Sequence, residues 1–116
     1  MVAASLERQD GSLVCGRCLL AETPLARMRG LLGRADLERD EGLYLRPASS
    51  IHMWFMRFPI DAVFLGENGE VLRITAGLKP WRMAACRGAK AVVELPAGVC
   101  KRVGLRVGDR LAVARA

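Results

Sequence analysis

The feature of the sequence that most constrains the fold is a turn between two strand-forming segments. Residues 66–69 read Gly-Glu-Asn-Gly, and asparagine and glycine accept the positive φ angles of tight hairpin turns at low cost. The segments before and after the turn, 60–65 and 70–75, are both rich in residues that favour strands. The sequence therefore predicts an antiparallel pair of strands in the middle of the chain, around which the other elements must be arranged.

The segment that leads into this hairpin holds the most distinctive side chains. Residues 51–65 contain the only histidine, one of the two tryptophans and all three phenylalanines. Read with the two-residue repeat of a strand, His52, Trp54, Met56 and Phe58 lie on one face. Pro59 has no backbone N–H to donate and predicts a break before the next strand. We therefore expect an imidazole, an indole and a thioether side by side on one face of a strand.

Turn and cap residues mark out the other elements. Further strands are predicted at about 13–21, 43–46, 89–95 and 110–114. The pair Thr23-Pro24 predicts the start of a short helix, because threonine caps free backbone amides and proline suits the first helical position. One more helical turn is predicted at 99–103, closing at Gly104.

These elements predict a mainly β fold, with α+β at the margin. We expect an antiparallel sandwich or compressed barrel of about six strands, with one short helix packed on one side. The length of 116 residues fits a single domain. Within it we expect a frayed N-terminal arm over about 1–11 and a core over 12–114.

The charge pattern bears on the choice of partner. The net charge is +6, but the arginines are scattered along the sequence with acidic residues between many of them, and only 5% of the chain is aromatic. We therefore expect no specific nucleic-acid binding, since readers of bases need aromatic platforms. Apolar runs are too short to span a membrane, and the first eight residues lack the pattern of a signal peptide. The expected location is the cytoplasm.

The four cysteines raise the question of a metal site or a redox pair. Cys15 and Cys18 have the spacing of a zinc knuckle or a redox motif, but Cys86 and Cys100 stand alone and supply no second pair. In a strand, positions three apart face opposite sides. We therefore expect four reduced, mostly buried thiols, no metal site and no cofactor.

Three other residues are singled out by their type and surroundings. Trp81 stands in a predicted loop, where it either plugs the end of the core or belongs to a site, and the plug is the favoured interpretation. Glu94 lies among apolar residues, where a carboxylate needs a cationic or amide partner. Asp61 follows the break at Pro59, where it can accept backbone N–H groups and hold the break in place.

Several motifs together resemble a known family. They lie in order at 29–34, 42–45, 52–64, 93–98 and 104–109, and the chain resembles the bacterial and archaeal family called domain of unknown function 192 over nearly its whole length. The resemblance implies a small β-rich domain and supplies no activity, substrate or catalytic residue. Residues that recur in the family map here onto Met53, Trp54, Met56, Pro59, Asp61, Glu94, Gly98, Gly108 and Asp109.

The functional hypothesis is a non-enzymatic domain that binds a small molecule or a protein partner, as a monomer or weak dimer. The predicted site joins the face of His52, Trp54 and Met56 with Trp81 and with polar groups that fix orientation. Those polar candidates are Arg57, Asp61, Arg82 and Glu94. One alternative is Cu(I) bound by His52 and Met56 beneath Trp54. Another is a hydrolase-like enzyme in which Asp61, Glu94 and His52 act as acid and base.

Overall fold

The computed structural model describes residues 2–23, 36–54 and 56–114. The helix predicted to begin at Thr23-Pro24 falls outside these residues over most of its length. The strands are β1 Val2–Arg8, β2 Leu13–Ala21, β3 Glu41–Leu45, β4 Ser50–His52, β5 Ile60–Leu65, β6 Val71–Leu78, β7 Met83–Ala85, β8 Ala91–Pro96 and β9 Leu111–Ala114, and the helix is α1 Val99–Val103.

Seven strands form one curled sheet in the order β6-β5-β8-β3-β2-β1-β9. Neighbouring strands are antiparallel except for β2 and β3, which are parallel. The edges approach each other at an isolated bridge between Glu70 and Arg110, where the Val71 N–H also donates to the Asp109 carbonyl at 2.7 Å. The curl makes the sheet a half-barrel, which confirms the predicted mainly β fold with barrel-like curvature.

The central hairpin is present as predicted. Strands β5 and β6 pair antiparallel, and Gly69 has φ +81° in the turn between them, a value that glycine adopts without strain. Strand β5 begins directly after Pro59, which confirms the predicted break. The helical turn at 99–103 is also confirmed: α1 ends at Gly104, whose φ of 68° provides the left-handed cap.

The N-terminal segment differs from the prediction. Instead of fraying, β1 lies inside the sheet and pairs with both β2 and β9. Its Leu6 is fully buried, and burying a leucine is favourable by about 2 kcal/mol. The arm is therefore a sheet strand, because pairing on both edges and one deeply buried side chain outweigh its mixed composition.

Two apolar clusters lie on opposite faces of the curled sheet. The inner cluster takes buried residues from six of the seven strands of this sheet, together with Val99 and Cys100 of α1, and Tyr44 of β3 packs against it. The outer cluster is built on the middle strands and is covered by a second sheet, the antiparallel pair of β4 and β7. Ile51 and Ala84 face the outer cluster, so alternate residues of β4 and β7 point to solvent.

Strand β2 carries a β-bulge that changes which way its cysteines point. Ala4 is opposite Cys18 while Leu6 is opposite Cys15, so β2 has one extra residue between them. Both thiols therefore enter the inner cluster, and the prediction that they face opposite sides is wrong. Cys100 is buried and Cys86 is half-buried, so the prediction of mostly buried thiols is confirmed. Within the described residues, no helix has the length and apolar character needed to cross a membrane.

Candidate functional site

Four exposed side chains gather at the end of the two-stranded sheet, and we call this group the aromatic tip: His52, Trp54, Trp81 and Met83. His52 and Met83 lie directly opposite each other in β4 and β7. The next residue, Met53, donates its N–H to the Arg82 carbonyl at 2.7 Å. His52 and Met83 therefore occupy a pair without mutual hydrogen bonds, the position at which cross-strand side chains come closest.

The histidine and the first tryptophan are in direct contact. Their ring centroids are 4.8 Å apart and the ring planes are inclined by 32°. Trp54 is nevertheless 47% exposed, so the indole presents much of its surface to solvent. The two rings form one aromatic platform on the outside of the molecule.

Trp81 has an unusual backbone conformation. Its φ is 68°, and the Arg82 N–H donates to the Lys79 carbonyl at 3.2 Å, so Trp81 occupies the third position of a turn that normally takes glycine. Its own N–H donates to the Met53 carbonyl at 2.8 Å. The left-handed conformation costs about 1–2 kcal/mol for a residue with a side chain. Trp81 is 60% exposed, so the prediction of a core plug is wrong.

Met56 does not belong to the aromatic tip, and the predicted face of His52, Trp54 and Met56 is wrong. Strand pairing in β4 ends at His52, and the Met56 N–H donates to the Met53 carbonyl at 3.2 Å. This turn shifts the alternation by one residue. Met56 consequently packs in the outer cluster with Met53 and Phe58. Side chains alternate between faces only while a strand is paired, and the segment that pairs with β4 turns away at Trp81.

The surroundings of the tip are basic. Arg57, Lys79 and Arg82 are all exposed, and Arg73 reaches from β6 to donate to the Ala85 carbonyl at 3.0 Å. The predicted site residues Arg57, Trp81 and Arg82 thus lie in or beside the loops that carry the tip. Lys79 and Met83 belong to the same region, and the sequence reasoning missed both because only the β4–β7 register reveals them.

Asp61 is a structural clamp. It is almost fully buried, and its carboxylate accepts N–H groups from Gly77 at 2.9 Å, Gly98 at 3.1 Å and Cys100 at 3.0 Å. The last two amides belong to the start of α1, which its own cap residue leaves without a side-chain acceptor. Asp61 therefore joins β5, β6 and α1, as the sequence predicts for a carboxylate that holds the strand break.

Glu94 is buried on the outer face of the curled sheet. It lies opposite Leu43 on one side and Ala62 on the other, and Thr75 follows beyond Ala62. No hydrogen bond or ion pair to its carboxyl occurs among residues 2–23, 36–54 and 56–114, and the Thr75 hydroxyl likewise lacks a partner there. Burial raises the pKa of the Glu94 carboxyl to about 7. The partner that the sequence led us to expect is not found in this part of the chain.

The predicted acid and base do not come together. His52 is exposed on the two-stranded sheet, Asp61 faces the inner cluster and Glu94 faces the outer one. Ala62 lies directly opposite Glu94 and points to the same face. Its neighbour Asp61 points to the other face, so the two carboxylates lie on opposite faces of the sheet. This arrangement does not supply the paired groups that acid–base catalysis needs.

The thiols have the properties of core residues. The adjacent Cys18 thiol lowers the pKa of Cys15, while hydrogen bonding to Cys15 and burial raise the pKa of Cys18. Burial, followed by the charge of Asp61, raises the pKa of Cys100 to about 12. In the described part of the chain, no three histidine, cysteine, aspartate or glutamate side chains are placed to hold a metal ion.

A second surface feature lies away from the aromatic tip. A cavity of about 390 Å³ is lined by Arg8, Gln9, Asp10, Gly104, Arg106, Val107 and Asp109. Its two arginines are balanced by two aspartates, and the Asp109 carboxylate already accepts the Arg106 N–H at 2.9 Å. We assign these polar groups to stabilisation of the turn that ends at Asp109.

Solved structures with the same fold exist. A protein of unknown function from Novosphingobium aromaticivorans superimposes with a TM-score of 0.78 at 25% identity, covering 96% of this chain and 84% of that one. A Sinorhizobium meliloti protein, provisionally described as a transcription regulator, gives 0.79 at 27% identity, covering 96% and 92%.

Several archaeal proteins are similar to this chain in sequence. A UPF0127 protein of Thermococcus sibiricus is 32% identical over 111 residues, covering 91% of this chain and 71% of the relative. One of Pyrococcus furiosus is 46% identical over 70 residues, which is 60% of each chain. The family model for domain of unknown function 192, described as an uncharacterized family, matches residues 6–113. The chain therefore belongs to the family of domain of unknown function 192.

Proposed function

We propose that this protein is a non-enzymatic binding domain and that its aromatic tip is the binding surface. The observation that carries the proposal is the exposure of both tryptophans of the chain at one end of the molecule. An exposed tryptophan forgoes several kcal/mol of burial free energy, roughly 3 kcal/mol for a side chain of this size. Two at one place, joined by the only histidine and by Met83, form a surface suited to contact with another molecule.

The size of the tip favours a ligand with a small contact area. Strands β4 and β7 have three residues each, which is about 10 Å of strand. A standard protein–protein interface takes about 800 Å² from each partner, and the tip alone provides a fraction of that. A small molecule, or a short segment of a larger one, fits the tip better than a globular partner.

Two alternatives have less support. Catalysis by His52, Asp61 and Glu94 requires groups that lie on different surfaces of the fold. Binding of Cu(I) has one favourable observation, because Met83 stands opposite His52 and offers the thioether that Met56 cannot. The exposed cations Arg57, Lys79 and Arg82 oppose a cation at this place, so we rank this alternative second.

A thermal-shift screen over metabolites and metal ions, including Cu(I), tests the proposal. A ligand of the folded state raises the melting temperature, and a ligand of the tip should do so in the wild type but not in Trp54→Ala. Val107→Ala is the control, since Val107 is exposed outside the tip. A shift that persists in a Trp54→Ala, Trp81→Ala double variant contradicts the proposal. A Cu(I) shift lost in His52→Ala and Met83→Leu supports the metal alternative.

A further inference from the structure

The two stretches of sequence that carry the aromatic tip contain basic residues but no acidic ones. Residues 46–60 and 71–93 contain seven arginines and lysines and not one aspartate or glutamate. Because the whole chain has a net charge of +6, the remainder carries −1. The two ranges include β4, β6 and β7 together with both loops of the tip. Of these seven cations, Arg57, Lys79 and Arg82 lie in the two loops of the aromatic tip. Arg73 reaches β7 beside them.

Most of these cations are on the surface. Arg57, Arg73, Lys79, Arg82, Arg87 and Lys90 are exposed. The three in the loops of the tip, Arg57, Lys79 and Arg82, attract anions over about 10 Å at moderate salt and repel a metal ion or an organic cation. Charge complementarity therefore selects an anionic ligand for the tip.

The aromatic side chains narrow the choice of anion. The tilted rings of His52 and Trp54 and the exposed indole of Trp81 offer flat apolar surfaces, and such surfaces accept the flat rings of nucleic-acid bases. An acidic peptide would satisfy the cations and leave the indoles without flat partners. A duplex would satisfy the cations but keeps its base faces stacked on one another. Bases joined by phosphates and free to stack are found in single-stranded nucleic acid.

The conformation of Trp81 gives independent support. A glycine at this position would relieve the left-handed strain, yet the chain places an indole there. Residues held in such conformations concentrate at ligand-binding positions, where the surrounding structure sustains the cost. The turn from Lys79 to Arg82 holds the indole between two exposed cations.

We propose that the aromatic tip binds short stretches of single-stranded nucleic acid without sequence preference. Bases stack on Trp54 and Trp81, while Arg57, Lys79 and Arg82 contact the phosphates. This inference rests on the proposed function, since it names the ligand of the same surface. It adds that binding weakens with salt, because each neutralised phosphate releases a counterion.

The test is fluorescence anisotropy with a labelled oligothymidylate about ten nucleotides long, within the usual span of such sites. Trp54→Ala and Trp81→Ala should each weaken binding about ten-fold and leave the salt dependence unchanged. Arg82→Ala should reduce the slope of log affinity against log salt by about 0.7. Arg106→Ala, an exposed arginine outside the tip, should change neither. Trp54→Phe, which keeps an aromatic face, should restore part of the affinity.

The outcomes distinguish single-stranded nucleic acid from other anionic ligands. Equal losses in Arg82→Ala and Arg106→Ala, or equal binding of a duplex of the same length, overturn the inference. So does the absence of binding at low salt, or equally tight binding of thymidine monophosphate. A matching oligouridylate shows whether the strand is DNA or RNA, and equal affinity supports recognition of bases and phosphates alone. If the thermal-shift screen finds another ligand that requires Trp54 and the oligothymidylate does not bind, the proposed function stands while this inference fails.

Discussion

The two faces of the curled sheet differ in whether their buried polar side chains are hydrogen-bonded. On the inner face, Asp61 accepts three backbone N–H groups and fixes the start of α1. On the outer face, Glu94 and Thr75 flank Ala62 without a described partner. Buried polar groups are nearly always hydrogen-bonded in stable cores, so the inner face follows the usual rules and the outer face departs from them.

Other features that are unfavourable for stability also lie on the outer side. The strained turn at Trp81, the exposed indoles and three exposed cations lie in the loops at the end of the sheet that covers the outer cluster. Natural proteins break the rules of stable folding mainly where function requires it. The inner face therefore stabilises the domain, and we expect the ligand site on the outer side.

The largest stability effect is expected at the inner carboxylate. Asp61→Ala leaves three backbone N–H groups without their acceptor and should lower the free energy of unfolding by roughly 4 kcal/mol. Asp40→Ala is the matched control, because Asp40 accepts one N–H, from Gly16, at an exposed position; its cost should be about 1 kcal/mol. Urea denaturation measures both. Similar losses in the two variants would show that Asp61 is not a clamp.

The outer carboxylate should produce a pH effect instead. The Glu94 carboxyl titrates near 4.5 in the unfolded chain and at about 7 in the fold, so the folded state binds more protons between these values. Its contribution to stability should fall by on the order of 3 kcal/mol as pH rises through this window, then stay level. Glu94→Gln should abolish that slope in denaturation curves, whereas exposed Glu67→Gln should retain it. A slope unchanged in Glu94→Gln contradicts the assignment.

Two methionines test whether the core and the tip are correctly separated. Met56 is only 9% exposed, whereas Met83 is 64% exposed. Met56→Ala should therefore lower the free energy of unfolding by about 2–3 kcal/mol through lost burial and a cavity, while Met83→Ala should stay within about 0.5 kcal/mol. Thermal or urea unfolding distinguishes them. Equal effects would mean that Met83 is also a packing residue.

The smallest expected effect is at the strained turn. Trp81→Gly and Trp81→Ala remove the same indole, but only glycine adopts the left-handed conformation freely. The glycine variant should therefore be more stable than the alanine variant by about 1 kcal/mol, as measured by urea denaturation. If alanine is equally stable, the backbone at 81 is not strained.

Local sequence signals predicted much of the framework. The hairpin at 66–69, strand β2, the break at Pro59 and helix α1 with its cap at Gly104 all follow from turn and cap chemistry within a few residues. These signals succeed because backbone preferences of glycine, proline and asparagine act over short distances.

The candidate site was predicted only in part. Aromatic and basic residues stand out in a chain with few aromatics, and this identified His52, Trp54, Trp81 and Arg82. Met56 was wrongly included and Met83 missed, since alternation was extended past His52, where β4 has ended. Cys15 and Cys18 were assigned to opposite faces for a similar reason, because one bulged residue reverses the alternation that follows it.

The β character of the domain, its family and the position of its main turns can be read from the sequence, because they depend on local conformational preference and on motifs in fixed order. The fold was needed to show that Val2–Arg8 lies inside the sheet, that Met83 faces His52 and that the two buried carboxylates occupy opposite faces. Those outcomes depend on strand register and sheet order, which are set by pairings between residues far apart in the chain.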